Sequence, residues 1–426
     1  MKKHLVFLIL TTFALPVHAA DVYTALKNVY ESNPQILAER EKVKKTEADL
    51  GLARTGWQPT LGATAGIARA KTKVDGLNAK DTYTQKEYGI SASQNIFQGF
   101  TTTAQIKAAK SALSAQQANL YATEQDVFLS AIDTYIRILN AKEVLKLNKH
   151  SEKVLREYYD LYVEKEKVGV LTKTDVAQAK ARLEGAKYRV IDAQAQYDNS
   201  LETFRRIYGK VEDTYQSIRV EDTNASFPKN IEEAEKMALA THPAIIAMKA
   251  QEDAAEENIT VSRQTLMPSV DIKASAIKYD DVPVADKMTD GRIGIYLTVP
   301  LYDKGITSAK TQKAKAEKSE VQMALAQTQR IVLEKLRQAW NLYQAQTAAI
   351  QSAKARVVAS KLALAGVRDE QARGRRTVLD VLNAEQELLD SQVMLTQAEH
   401  AKTAAYFAVL SGTGQLSAHN LGLDAD

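Results

Sequence analysis

The 426-residue chain has no cysteine, only eight prolines and 18 glycines, and no apolar stretch long enough to span a bilayer as a helix. Without cysteine there is no disulfide framework, no thiolate metal site and no cysteine-linked lipid anchor at a processed N-terminus. Any attachment to a membrane must come from the fold itself. Scarce Gly and Pro, with abundant Ala, Gln, Glu, Lys and Leu, favour long helices. The formal charge is only +4, and no basic block interleaved with aromatics occurs, so a nucleic-acid partner has no support. Beyond the leader, His150, His242, His400 and His419 stand at no metal-ligand spacing from one another. No Gly-rich phosphate loop exists. Ser275-Ala276-Ile277-Lys278 matches S-x-x-K, but it lies in a strand pattern without companion motifs. No catalytic site, metal or cofactor is predicted.

What the chain does contain begins with an export signal. Lys2-Lys3 is a basic n-region, Leu5 to Leu15 is mostly apolar, and Val17-His18-Ala19 fits the small-residue cleavage rule. Cleavage is expected after Ala19, giving a leader over 1–19 and a mature chain exported without a transmembrane helix.

The mature chain then reads as one plan written twice. Gly169-Val170-Leu171-Thr172-Lys173-Thr174-Asp175-Val176 is echoed 205 residues later by Gly374-Arg375-Arg376-Thr377-Val378-Leu379-Asp380-Val381. Asn33-Pro34 returns as His242-Pro243, and Trp57-Gln58-Pro59 as Leu266-Met267-Pro268, both at an offset of 209. The offset falls by four between Pro59 and Phe97, where a loop tolerates the insertion. The first repeat covers 20–209, with a β-hairpin at about 60–97, a long helix at about 100–167, a tip at 168–175 and a return helix. A linker or equatorial segment spans 210–230. The second repeat covers 231–414, with its hairpin at about 268–301, long helix at about 305–372 and tip at 373–380. A tail follows over 415–426.

Strand alternation is clear within each hairpin. Leu61, Ala63, Ala65 and Ile67 share one face, with Thr60, Gly62, Thr64 and Gly66 on the other. Tyr88, Ile90, Ala92 and Ile96 likewise oppose Gly89, Ser91, Ser93 and Asn95. The second copy repeats this in Val270, Ile272, Ala274 and Ala276, then in Ile293, Ile295, Leu297 and Val299. Polar loops are expected over Lys71–Glu87 and Asp280–Gly291. Past each hairpin the period changes, and neither Gly nor Pro occurs from Thr101 to Val168 or from Ile306 to Ala365. Such helices run to about 90–100 Å. Leu336, Tyr343, Ile350, Val357 and Leu364 recur every seventh residue, as do Leu113, Leu120 and Val127, the mark of a coiled coil. Gly169 and Gly374 stop these helices as left-handed C-caps. Thr172 and Thr377 then N-cap the return helices, with Asp175 and Asp380 placed as in a capping box.

Four strands with one apolar face and no third layer to cover it imply a lipid-facing barrel. Four cannot close, since transmembrane barrels need about eight or more strands, so several chains must each lend a share. The whole mature chain resembles the TolC family of outer-membrane exit ducts. The duplicated tip carries the resemblance most specifically, Val168-Gly169 with Thr174-Asp175-Val176 and Gly374-Arg375-Arg376-Thr377 with Asp380-Val381-Leu382. The resemblance implies a membrane α+β fold: a homotrimer with a 12-stranded β-barrel in outer-membrane lipid, continued by a 12-helix periplasmic coiled-coil α-barrel. An equatorial belt is expected from Val211–Asn230 and the tail. It implies an exit duct for type I protein secretion or multidrug efflux, serving an inner-membrane pump of ABC or RND type and opened by a periplasmic adaptor. Type I secretion is favoured by the ungapped Asn-Pro opening and short tail, and the lipidated efflux branch is excluded by the missing cysteine.

Site residues follow from the same resemblance. Asp175 and Arg376 match a network within and between protomers that locks the aperture, and Asp380 matches an acidic lumenal ring. Asn383 stands where a second acidic ring is expected, and Gln371 replaces the lock tyrosine, so a weaker lock and weaker cation block follow. Adaptor contact is expected at Val168, Gly169, Val170, Leu171, Gly374 and Arg375. The bland readings are specific too. Both aspartates suit capping boxes, and both glycines are structural first. Arg376 is different, because a helix N-terminus disfavours a cation there. A partner carboxylate is therefore expected. The competing whole-chain reading is a periplasmic coiled-coil adaptor, which carries one hairpin and more β structure than four strands supply.

Overall fold

The computed structural model describes residues 22–71, 82–209, 218, 223, 225–282 and 285–423. The expected leader, most of the 210–230 segment and part of the first hairpin loop lie outside them. The chain divides into two compact units, one built from 34–123 and 232–335, the other from the remaining segments.

The first unit contains the sheet. Strands β1 (Thr60–Lys71), β2 (Thr82–Gln98), β3 (Ser269–Val282) and β4 (Ala285–Thr298) form one antiparallel sheet in the order β1-β2-β3-β4. The register aligns the apolar positions across all four. Leu61, Ala92, Ala274 and Ile293 lie side by side, as do Ala63, Ile90, Ala276 and Gly291. The opposite face carries Thr60, Ser93, Lys273 and Gly294 in one row and Gly62, Ser91, Ser275 and Arg292 in the next.

Two expectations need correction here. The hairpin loops are shorter than expected, because the polar residues from Thr82 to Glu87 and from Ala285 to Asp290 continue the ladder. Backbone pairing tolerates polar side chains wherever both faces stay wet. Ile96 does not extend the apolar row, since a bulge between Asn95 and Phe97 sets Phe97 opposite Val270 instead.

Helix α1 (Val22–Ser32) belongs to the other unit, and α2 (Pro34–Arg54) to the sheet-bearing one. Helix α3 spans Thr101–Lys167, α4 Lys173–Tyr208, α5 Ile231–Thr241, α6 Pro243–Val261, α7 Ile306–Ala372 and α8 Val378–Gly412. The two 67-residue helices α3 and α7 are each about 100 Å long. Within the sheet-bearing unit, polar links tie the helices together. Gln116 donates to Glu39, Gln322 to Glu252, and Lys107 pairs with Glu257 at 3.5 Å. No helix among the described residues is long and apolar enough to cross a membrane.

Each junction between strand and long helix is a left-handed pair. Gly99 (φ 56°) and Phe100 (φ 64°) precede α3, while Lys304 (φ 59°) and Gly305 (φ 82°) precede α7. Glycine occupies the first place in one and the second in the other. A Cβ on Gly99 would lie 2.3 Å from that of Met267, so close packing demands glycine there as well.

The helical unit holds the main core. Val22 and Leu26 of α1, Phe128, Ile132 and Tyr135 of α3, Phe204 of α4 and Phe407 of α8 pack with Leu416, Leu421 and Leu423. The C-terminal tail is thus folded into the core over its described length. Phe227 stacks on Tyr406, with ring centroids 4.5 Å apart, and lies against Trp340 and Tyr343. A second cluster joins Leu155 and Tyr162 of α3, Leu183 of α4 and Leu382 of α8 near the helix tips. Of the heptad positions on α7, Leu336 and Leu364 are buried, while Tyr343, Ile350 and Val357 are half-buried.

Candidate functional site: the paired helical tips

Both tips belong to the helical unit and close in the same way. At the end of α3, Gly169 (φ 76°) donates to the Glu166 carbonyl and Val170 to that of Lys165, each at 2.9 Å. At the end of α7, Gly374 (φ 75°) donates to Gln371 at 3.0 Å and Arg375 to Glu370 at 2.9 Å. These are Schellman closures, which satisfy carbonyls the helix leaves open. Two residues after Val170 and Arg375, Thr172 and Thr377 cap the return helices, which start at Lys173 and Val378. Asp175 Oδ2 accepts from the Thr172 amide at 3.0 Å and the Thr172 hydroxyl at 2.7 Å, and its own amide donates back to that hydroxyl. Thr377 and Asp380 repeat the box at 2.9 and 2.8 Å.

The tips differ in chemistry. The first presents Val168 and Val170 to solvent, 74% and 67% exposed, while Leu171 packs against the Leu155–Leu183 cluster. The second is basic. Arg373 pairs with Asp369 at 2.8 Å, Arg375 is exposed, and Arg376 Nε donates to Glu370 at 2.9 Å. That ion pair raises the Arg376 pKa, with Asp380 adding to the effect. The Thr377 amide and hydroxyl, then Arg376, hold the Asp380 carboxyl below the usual carboxylate range.

The residues expected to form a lock are not joined within one chain. Arg376 finds its carboxylate in Glu370, six residues back, and Asp175 is held by Thr172. Gln371 lends its carbonyl to the Gly374 turn, and its side chain makes no hydrogen bond among the described residues. Asn383 accepts from Arg182 Nη2 at 2.7 Å, which ties α8 to α4.

A stronger polar network lies farther from the tips, and the sequence reading missed it. Arg368 of α7 pairs with Glu385 of α8, and its guanidinium stands 5.5 Å from the ring centroid of Tyr158 on α3. Tyr158 stacks on Tyr162 at 5.7 Å. Burial, with Glu385 next, pushes the Tyr162 hydroxyl up to about 12 and raises that of Tyr158. The Tyr162 hydroxyl is buried with no hydrogen-bond partner among the described residues. Arg368 and Glu385 also line a cavity of about 400 Å³ with His150 and Lys361, over a floor that includes Leu147 and Leu364. A usable signal did exist. An antiparallel helical hairpin brings together residues within a turn or so of equal distance from its bend, as 368, four residues before the end of α7, and 385, seven residues into α8, are.

This arrangement anchors helices and presents surfaces; no group of three or more His, Asp or Glu side chains placed to hold a metal ion occurs among the described residues. The family model described as outer membrane efflux protein matches residues 25–210 and 235–415. The chain belongs to the outer membrane efflux protein family. This family, to which the TolC channels belong, consists of outer-membrane transport proteins rather than enzymes, and the chain is accordingly an outer-membrane protein. It is 30% identical to the outer membrane efflux protein BepC of Brucella suis over 94% of this chain and 86% of that protein. It is 23% identical to the outer membrane protein TolC of Escherichia coli over 99% and 88%. In structure it is similar to the Campylobacter jejuni CmeC outer membrane channel, with a TM-score of 0.79 and 18% identity over 93% and 86% of the two chains.

Proposed function

We propose that three copies of this chain close a 12-stranded barrel and form the exit duct of a tripartite export machine. The observation that carries this is the bare apolar face of the sheet. Leu61, Ile90, Ile293, Ile295 and Leu297 are all at least 66% exposed in the single chain, Ile293 reaching 82%. A patch of this kind marks a protein or lipid interface. Strands β1 and β4 are both edges, and edges are not tolerated in hydrocarbon, so joining β4 of one copy to β1 of the next satisfies both. Three copies give twelve strands, an even number within the barrel range.

In this reading the tips are the periplasmic aperture. Asp380 supplies one acidic ring, and the uncharged Asn383 leaves the second unfilled. Arg376 can exchange Glu370 of its own chain for Asp175 of a neighbour, which makes the lock a competition between two exposed pairs of modest strength. The apolar Val168–Val170 tip and the basic Arg373–Arg376 tip together offer an adaptor a mixed surface. It suits a partner helical hairpin that carries both apolar residues and carboxylates. An ABC or RND-type pump supplies the energy, and the cargo is a secreted protein, a drug or both.

The test is the mass of the detergent-extracted assembly together with single-cysteine labelling, which the cysteine-free chain permits. Three chains are expected, with a cysteine at position 61 or 293 reached by membrane-soluble thiol reagents and one at position 91 by aqueous ones. A monomer with both sets water-accessible overturns the reading.

A further inference from the structure

The polar face of the sheet carries a charge pattern that the exit-duct reading leaves unused. Moving away from the helix-joined end, its charged side chains as far as the fourth ladder row beyond Asp271 are Asp271, then Lys273, then Arg292 and Asp290, then Glu87, with Asp281 and Asp286 farther on at the hairpin end. Of the first five, three are matched locally. Arg292 pairs with Asp290 at 2.6 Å, and Asp271 Oδ1 accepts from the Asn95 side-chain Nδ2 at 2.9 Å. Glu87 lies against Gly66 near the hairpin end. Lys273 has no carboxylate within 4 Å among the described residues; its ammonium stands 5.4 Å from the Tyr296 ring centroid.

That seat is built. Gly294 is the direct partner of Lys273 in the ladder, and the Tyr296 ring lies back over it. A Cβ on Gly294 would come within 3.2 Å of that ring, so the glycine leaves room for the aromatic surface beneath the ammonium. Such a cation–π contact holds a lysine without neutralising it. The row around Lys273 is otherwise Thr60, Ser93 and Gly294, and the polar-face residues of β1 from Thr60 to Gly66 bring no charge from a neighbouring copy.

We propose that Lys273, seated on Tyr296, forms an anion-attracting station in the lumen of the barrel, which receives carboxylate or phosphate groups of the cargo. This rests on the barrel reading above, in which three copies make a ring of three ammonium groups on the water-filled side. Beyond it lie Glu87, Asp281 and Asp286 toward the hairpin ends. An anionic group in transit thus meets a favourable band followed by an acidic mouth that favours release. Binding that is attractive yet local is what conduction requires.

The test introduces a single cysteine by Ser275→Cys, at the next position on the same face of β3, and compares anionic with cationic methanethiosulfonates. Rates are normalised to a small free thiol. With Lys273 present, the anionic reagent is expected to be favoured. Lys273→Gln should lower the anionic-to-cationic rate ratio by about three-fold at 0.1 M salt, from one charge some 7 Å away in screened water. Lys273→Arg should keep the ratio, Gly294→Ala should lower it partly, and 1 M salt should abolish the preference in the Lys273 protein without any substitution at that site. A ratio unmoved by both Lys273→Gln and salt overturns the station while leaving the barrel intact. If neither reagent reaches the thiol at position 275, the face is not lumenal, and the barrel reading fails with the station.

Discussion

Lowering the pH from 7 to 4.5 should destabilise this protein through one histidine. His242 caps the N-terminus of α6, where its Nδ1 accepts from the Ala244 amide at 3.3 Å and Pro243 occupies the first turn. Burial, reinforced by Lys335, depresses its pKa from 6.5 to about 4. Below pH 6.5 the unfolded chain therefore takes up a proton that the native protein refuses until about pH 4. Stability from this site is complete above 6.5 and is lost as pH falls through that window. The full difference corresponds to about 3 kcal/mol, and partial solvent access reduces it to roughly 2. Protonation also turns the capping acceptor into a donor, which removes the cap. The control is His242→Asn, because asparagine caps without titrating, and Asn33 already precedes Pro34 at the matching place. Urea unfolding followed by Trp57 fluorescence in a Trp340→Phe background, at pH 7.5 and 4.5, should give a smaller loss in the variant. Equal losses in the two proteins would refute the buried-cap argument.

Replacing Arg368 with Ala leaves Glu385, whose side chain is only 11% exposed, without its cation, and should cost about 2–3 kcal/mol in melting of the helical unit. Glu385→Gln should move the Tyr162 ionisation down from about 12 in an ultraviolet titration yet keep it above 10, since burial is the larger cause. Arg376→Ser should raise the fraction of conducting channels, and an unchanged fraction would remove Arg376 from the lock. Lys304→Gly should stabilise the entry to α7 by about 1 kcal/mol in chemical denaturation, because an exposed side chain there sits at φ 59°.

The features written locally were legible in the sequence. A glycine followed three residues later by Thr, and by Asp three further on, specifies a Schellman stop and a capping box through contacts of a few residues. Both tips carry these contacts at ordinary hydrogen-bond distances. The sheet faces were equally legible as far as Gln94, where a bulge shifts the register and no residue type announces it. The hairpin ends were not legible, because Thr82–Glu87 has the polar composition of a loop while its backbone still pairs with β1. The tip electrostatics required tertiary knowledge. Arg376 demanded an acid, but its choice of Glu370 depends on how the Gly374 turn folds back over the last turn of α7. The Tyr158–Arg368–Glu385 network joins three helices, so no window of sequence contains it.

Single-channel recording of the purified, detergent-extracted protein in a planar bilayer tests the central claim most directly, with and without a trivalent cation on the periplasmic side. The expected result is discrete conductance steps, blocked from that side alone and relieved of block by Asp380→Asn. Folded, oligomeric protein that inserts and conducts nothing, including in the Arg376→Ser background, would contradict the exit duct.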